Sequence, residues 1–257
     1  MKTLKKWKCH TEWNARRNMM IDVHAHILPG VDDGARDLEE TSCLLRFIIS
    51  QGFGAVIATP HDFRRGQGPD YERLAGLARQ AEQEIRKDYP DFRIYLGQET
   101  RYHEELAERL RAGKAFTLAG SRYVLIEFEP EDSYERLFRG IRTLSFAGFF
   151  PVLAHMERYR CLHEEEHIRE LAGTGCVFQM NYESLQGAWW EPEIRWCRKQ
   201  VQQKRIHLLG TDMHRRDYRP PDIAGAMKWL EKNVEKKLLM AMARENALHI
   251  IRNEGMD

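Results

Sequence analysis

The chain has 257 residues, with 40 basic side chains against 39 acidic ones and a formal net charge of +1. That length suits one large domain or an α/β barrel with a sizeable core, and the balanced charge excludes a protein built around nucleic-acid backbone contacts. Five scattered cysteines (Cys9, Cys43, Cys161, Cys176, Cys197) show no zinc or disulfide spacing, which predicts a reduced, cytoplasmic protein. The longest apolar stretch, "FAGFFPVLAHM", is short and contains Pro151, so no transmembrane segment is expected.

In chain order, residues 1–19 come first as a basic extension expected to be poorly ordered, with Lys2, Lys5, Lys6, Lys8, Arg16 and Arg17 against Glu12 and no signal-peptide core. A single domain is expected over 20–257. It begins with the strand "IDVHAHI" and continues through "AVIATPH", "RIYLGQE", "YVLIEF", "FPVLAHM", "CVFQMN" and "IHLLGTD". Helical periodicity fills the gaps, roughly over Leu38–Gln51, Asp70–Asp88, His103–Ala112, Ser133–Ala147, Glu164–Gly173 and Trp190–Gln203, with two helices after Pro221. Seven strands alternating with helices predict an α/β fold closed as a barrel rather than an open sheet.

The polar residues of these strands sit at their carboxyl ends: His24 and His26, His61, Glu99, Glu127, His155, and Asp212 with His214; Asp33 follows the first strand. In a parallel barrel those ends meet on one face, where active sites are built. Each feature alone has a plain structural explanation; Asp32 and Asp33, for instance, lie between Gly30 and Gly34 and could simply form a turn. Jointly they bring five imidazoles and four carboxylates together. Such a cluster needs positive charge at its centre, which metal ions supply. Nine donors suit two or three ions sharing a bridging carboxylate, and an all-nitrogen and oxygen set favours manganese, iron or zinc. The remaining histidines, His10, His103, His163, His167, His207 and His249, lack this placement and are read as structural or solvated; Trp189 and Trp190 are read as packing.

"IDVHAHILPGVDDGA", "ATPH", "GQE", "YVLIEF", "PVLAHMERY", "CVFQMN", "GTDMH" and "RPP" together resemble the polymerase and histidinol phosphatase (PHP) family. Within it, they are similar to the bacterial tyrosine phosphatases of capsule and exopolysaccharide systems, the CpsB/CapC/YwqE type. The resemblance runs from Met20 nearly to the end. It implies a distorted (β/α)7 TIM-like barrel, the PHP fold, holding three divalent ions, usually manganese, that hydrolyses phosphotyrosine through a metal-bound hydroxide. By this resemblance His24, His26 and Asp212 hold one ion, and Glu99 bridges it to a second held by Glu127 and His155. Asp33, His61 and His214 hold the third. Arg158 of "HMERY" and Arg219 of "YRPP" match phosphate-contacting arginines. Asp62 stands where the family often has a histidine or basic residue. The implied partner is a phosphotyrosine protein, the tail of a bacterial tyrosine kinase, and a homo-oligomer is compatible with the family. A small-molecule phosphatase, such as one for histidinol phosphate, would use the same ligands; a non-catalytic metal-binding module is the third reading. A cysteine phosphatase is excluded, because no cysteine is followed six positions later by an arginine.

Overall fold

The computed structural model describes residues 19–62 and 71–256. Of the expected basic extension only Met19 is included, so Cys9 and His10 lie outside the described residues, as does Asp70. The strands are β1 (Met20–Ala25), β2 (Phe53–Ala58), β3 (Arg93–Leu96), β4 (Glu99–Arg101), β5 (Tyr123–Glu127), β6 (Phe150–Leu153), β7 (Val177–Asn181) and β8 (Leu208–Gly210). All pair in parallel, in the orders β1-β2-β3 and β4-β5-β6-β7-β8.

The expected strand "RIYLGQE" is broken in two. Its first half lies on β2; after Gly97 its second half takes up register on β5, with Glu99 opposite Leu125. The two halves remain one crossing, because Gly97 N–H donates to Ala58 O at 2.8 Å and Glu99 N–H to Pro60 O at 3.2 Å. The ring closes between β8 and β1, where Asp212 N–H donates to His24 O and His26 N–H to Met213 O, each at 2.8 Å. The fold is a distorted (β/α)7 barrel.

Helices α1 (Leu38–Ser50), α2 (Tyr71–Ile85), α3 (Leu106–Arg111), α4 (Tyr134–Phe146), α5 (Glu165–Ala172) and α6 (Pro192–Gln202) cover the strands. Local chemistry sets their starts. Asp37 caps α1 by accepting Glu40 N–H, Ser133 caps α4 by accepting Arg136 N–H, and Pro192 opens α6. The expected helix over Trp190–Gln203 therefore begins later, and Trp189 and Trp190 are 70% and 65% exposed instead of packed. Three helices rather than two end the chain: α7 (Ala224–Asn233), α8 (Lys236–Met240) and α9 (Asn246–Arg252), the last two joined by a π-helical turn over Ala241–Glu245.

Two apolar layers result. The outer one packs helices on the barrel wall. The inner one fills the barrel with Ile21, Val23, Ile57, Leu125, Val152 and Leu208, and Ala247 and Ile250 of α9 join it.

Candidate metal centre

Side-chain alternation on β1 places Ile21 and Val23 in the barrel interior and would turn His24 and His26 outward. A bulge prevents this. Asp22 pairs with Val56 and Ala25 with Ala58, so β1 carries one more residue than β2 across that interval, and the facing parity switches before the histidines. Elsewhere plain alternation suffices. Glu127 follows Tyr123 and Leu125, Gln179 and Asn181 follow Val177, and Glu99 follows Tyr95 and Gly97. Past β6 and β8, His155 (φ 32°) and Asp212 (φ 51°) adopt left-handed backbone, an unfavourable conformation that only the surrounding structure sustains.

All nine expected donors meet at the carboxyl end of the barrel. His24 Nε2 and His26 Nε2 lie 3.2 Å apart and face Asp212 Oδ1 at 3.4 and 3.5 Å. Glu99 Oε2 is within 3.2 Å of His24 Nε2, 3.3 Å of His26 Nε2 and 3.0 Å of His61 Nδ1, yet accepts no well-formed hydrogen bond. His155 Nε2 stands 2.9 Å from Glu99 Oε1 and 3.8 Å from Glu127 Oε2. On the open side, Asp33 Oδ1 lies 3.7 Å from His61 Nε2 and 3.6 Å from His214 Nε2. Three groups thus have ligand geometry: His24, His26 and Asp212; His61, Glu99 and Glu127; and His26, Asp33, His61 and His214. His26 and His61 each border two of them, whereas the family resemblance assigned each to one, and His155, which the resemblance set beside Glu127, falls in none of the three and meets the cluster through Glu99.

Of the supporting residues only Asp32 stands out in the sequence, and there as part of a turn. Asp32 accepts from His26 Nδ1 at 2.8 Å, from His61 N–H at 3.1 Å and from Gly34 N–H at 2.9 Å. Gln179 Oε1 accepts from His24 Nδ1 at 3.2 Å and His155 N–H at 2.7 Å; its amide donates to Asn181 Oδ1, and Asn181 Nδ2 donates to Asp212 Oδ2. Asp22, fully buried, accepts from Thr211 N–H and Oγ1 and from His24 N–H. Burial pushes its pKa up to about 6, with the Thr211 hydrogen bonds opposing. The one signal available in the sequence was the alternation of polar residues in "VFQMN". Gly34 is sterically required, since a Cβ there would lie 2.0 Å from His26 O. Asp62 turns from the cluster to pair with Arg109 at 3.2 Å.

These contacts bear on whether the site fits a cation. With both Nδ1–H groups of His24 and His26 committed to oxygen acceptors, their Nε2 lone pairs converge on each other and on two carboxylates, an arrangement that calls for positive charge between them. The electrostatics agree. Burial opposes protonation of His26, but Asp212, Asp32 and Glu99 raise its pKa well above the ordinary value. Burial and the charge of Glu99 push Glu127 up to about 7. The donor set suits divalent ions with oxygen and nitrogen preference.

Arg158 Nη2 and Arg219 Nη1 both donate to Asp212 Oδ2, at 2.5 and 3.1 Å, and each is about one-third exposed. Asp212 is therefore divided, Oδ1 toward the imidazoles and Oδ2 toward two guanidinium groups and Asn181. Cations held by these donors, bordered by two partly exposed arginines, would receive an oxyanion and neutralise it from both sides.

The family model described as capsular polysaccharide synthesis, CpsB/CapC, matches residues 20–252. The chain is 31% identical over 243 residues to the tyrosine-protein phosphatase CpsB of Streptococcus pneumoniae, covering 91% of this chain and 99% of that one. It is 30% identical over 237 residues to the tyrosine-protein phosphatase YwqE of Bacillus subtilis, covering 91% and 92%. Among solved structures it is similar, with TM-score 0.83 and 28% identity over 93% of this chain and 96% of that one, to the metal-dependent tyrosine phosphatases YwqE from Bacillus subtilis and CpsB from Streptococcus pneumoniae. A phosphotriesterase homology protein from Escherichia coli shares the fold alone, with TM-score 0.52 and 13% identity over 91% of this chain and 99% of that one. The chain belongs to the CpsB/CapC family of capsular polysaccharide synthesis.

Proposed function

We propose that this chain is a metal-dependent protein-tyrosine phosphatase acting in the cytoplasm on a phosphotyrosine protein, the tail of a bacterial tyrosine kinase of capsule or exopolysaccharide synthesis. The observation that carries this reading is the meeting of a cluster of eight grouped donors, with His155 beside Glu99, and of Arg158 and Arg219 at one carboxylate, Asp212. Three divalent ions, manganese first, with iron or zinc as alternatives, match the donors. His24, His26 and Asp212 would hold one, Glu99, Glu127 and His155 a second, and Asp33, His61 and His214 the third. When bound, such ions polarise phosphoryl oxygens and make water nucleophilic at neutral pH.

The chain's own residues do the rest. Asp32 and Gln179 fix the tautomers of His26 and His24, so that Nε2 of each is the donor atom. Arg158 and Arg219 grip the phosphoryl oxygens as charge redistributes, with planar forks that suit them. A phenolate, of pKa near 10, leaves more readily than an alkoxide, so no dedicated general acid is invoked.

Metal analysis of the purified protein, combined with turnover of a phosphotyrosine peptide beside phosphoserine peptide and histidinol phosphate, tests this. The expected result is bound divalent metal and preference for the phosphotyrosine peptide, lost on chelation and untouched by thiol alkylation. Full turnover after exhaustive chelation, or preference for histidinol phosphate, overturns it. Arg158→Ala and Arg219→Ala are each expected to keep metal content while kcat/KM falls roughly thirty- to a thousandfold. Lysine at either position is expected to rescue only partly.

A further inference from the structure

Among the exposed large apolar side chains of the described residues, Tyr71, Tyr89, Phe146, Trp189, Trp190 and Tyr218, only Tyr218 has ring contacts with residues of the site. It lies on a tight turn between two of them. Arg215 N–H donates to Tyr218 O at 2.8 Å, Tyr218 N–H donates to Arg215 O at 3.2 Å, and His214 N–H donates to Arg219 O at 3.3 Å. The pairing of His214 with Arg219 closes the base of this turn and sets Tyr218 beside both residues. Its ring meets His214 edge-on, with centroids 6.0 Å apart, and the guanidinium carbons of Arg219 and Arg215 lie 5.3 and 5.6 Å from its centroid. At 46% exposure, much of the ring is open to solvent.

We infer that Tyr218 is the residue that recognises the aromatic ring of the substrate and thereby biases this site toward aryl over alkyl phosphate esters. The inference rests on the reading of Arg219 as part of the phosphate grip. A phosphoryl group held by Arg219 carries its ester substituent one oxygen away. An aryl group there comes within the roughly 4.5–7 Å centroid separation at which aromatic rings attract each other. An alkyl chain gains much less from the same surface. The arginine and the tyrosine are adjacent in the chain, and Arg219 has left-handed backbone (φ 51°), which the pairing of His214 with Arg219 sustains. Recognition of phosphate and of ring are thereby built on one rigid turn.

The alternative, that Tyr218 merely steadies Arg219, makes a different prediction, and non-hydrolysable inhibitors separate the two without involving leaving-group chemistry. Inhibition constants for phenylphosphonate, methylphosphonate and inorganic phosphate are measured on the metal-loaded wild type, Tyr218→Ala and Tyr218→Phe. Ring recognition predicts that Tyr218→Ala weakens phenylphosphonate roughly three- to tenfold relative to methylphosphonate, leaves inorganic phosphate unchanged, and that Tyr218→Phe restores the wild-type ratio. A constant phenyl-to-methyl ratio in Tyr218→Ala, or an equal loss for all three inhibitors, overturns the inference. Failure of the underlying reading appears separately, as a wild type that neither turns over phosphotyrosine peptide nor is inhibited by any of the three.

Discussion

Asp32 and Asp33 are adjacent in the chain, yet their carboxylates do different work. Asp33 is half exposed and faces His61 and His214, whereas the Asp32 carboxylate is buried against His26. No property of the two residue types distinguishes them; the turn does, because Asp32 accepts Gly34 N–H and so points back at the first strand. The candidate donors were legible as types at strand ends, and the partners that orient them were not, since orientation depends on contacts across the barrel. Asp32→Ala is expected to leave the barrel folded by circular dichroism and to weaken metal binding about ten- to a hundredfold, measured by titration of the metal-free protein. Unchanged affinity would mean that the His26 ring is held by its packing alone. The shared carboxylate of Asp212 adds a linkage. On the proposed reading, an oxyanion that draws Arg158 and Arg219 away from Oδ2 would free negative charge for cations at Oδ1, so anion and metal affinities are expected to rise together, by one common factor.

At the level of elements, parallel strands, helices between them and a closed ring followed from periodicity alone. The β1 bulge did not, because one extra residue leaves no mark on an apolar pattern, yet it decides which way His24 and His26 face. The break after Gly97 was hidden for a similar reason: "RIYLGQE" satisfies strand chemistry throughout, and only its two neighbours pull it into separate registers. The extra C-terminal helix and the shortened α6 reflect local turns that apolar spacing does not resolve. The loop after β1 is constrained by Gly34, whose missing Cβ lets the chain pass against His26 O. Gly34→Ala is expected to cost about 1–3 kcal/mol in denaturant unfolding and to weaken metal retention with it. Wild-type stability in that variant would show that the loop relocates freely.

For the molecule as a whole, cations bound at the proposed donors would contribute to stability by mass action, because those donors converge only in the folded chain. Exhaustive chelation is expected to lower the thermal midpoint, and metal at a hundredfold excess over its Kd to return about 2.7 kcal/mol per independent site. A midpoint indifferent to chelator and metal would argue against a folded-state metal cluster. A second global effect arises away from the site. His207 accepts Phe178 N–H through Nδ1 at 3.0 Å, and burial depresses its pKa below the ordinary 6.5. The unfolded chain then takes up a proton that the folded one refuses, so this contribution is complete above pH 6.5 and is lost as pH falls below it. His207→Asn, which keeps an acceptor without titrating, is expected to flatten the difference in stability between pH 7 and pH 5; an unchanged slope would show that the histidine is protonated alike in both states. The seam of the barrel carries a consequence of another kind, for the order of events during synthesis. Thr211 reaches Asp22 across 189 positions, and the same seam sets His24 and His26 beside Asp212. A ribosome that has made β1 to β7 has therefore made neither Asp212 nor His214, and the two donor groups those residues complete are still open. Contacts so distant in sequence form late, so on the proposed reading a nascent chain that lacks β8 offers metals an incomplete cluster, and full loading with metal would wait for Asp212 and His214 to reach the seam.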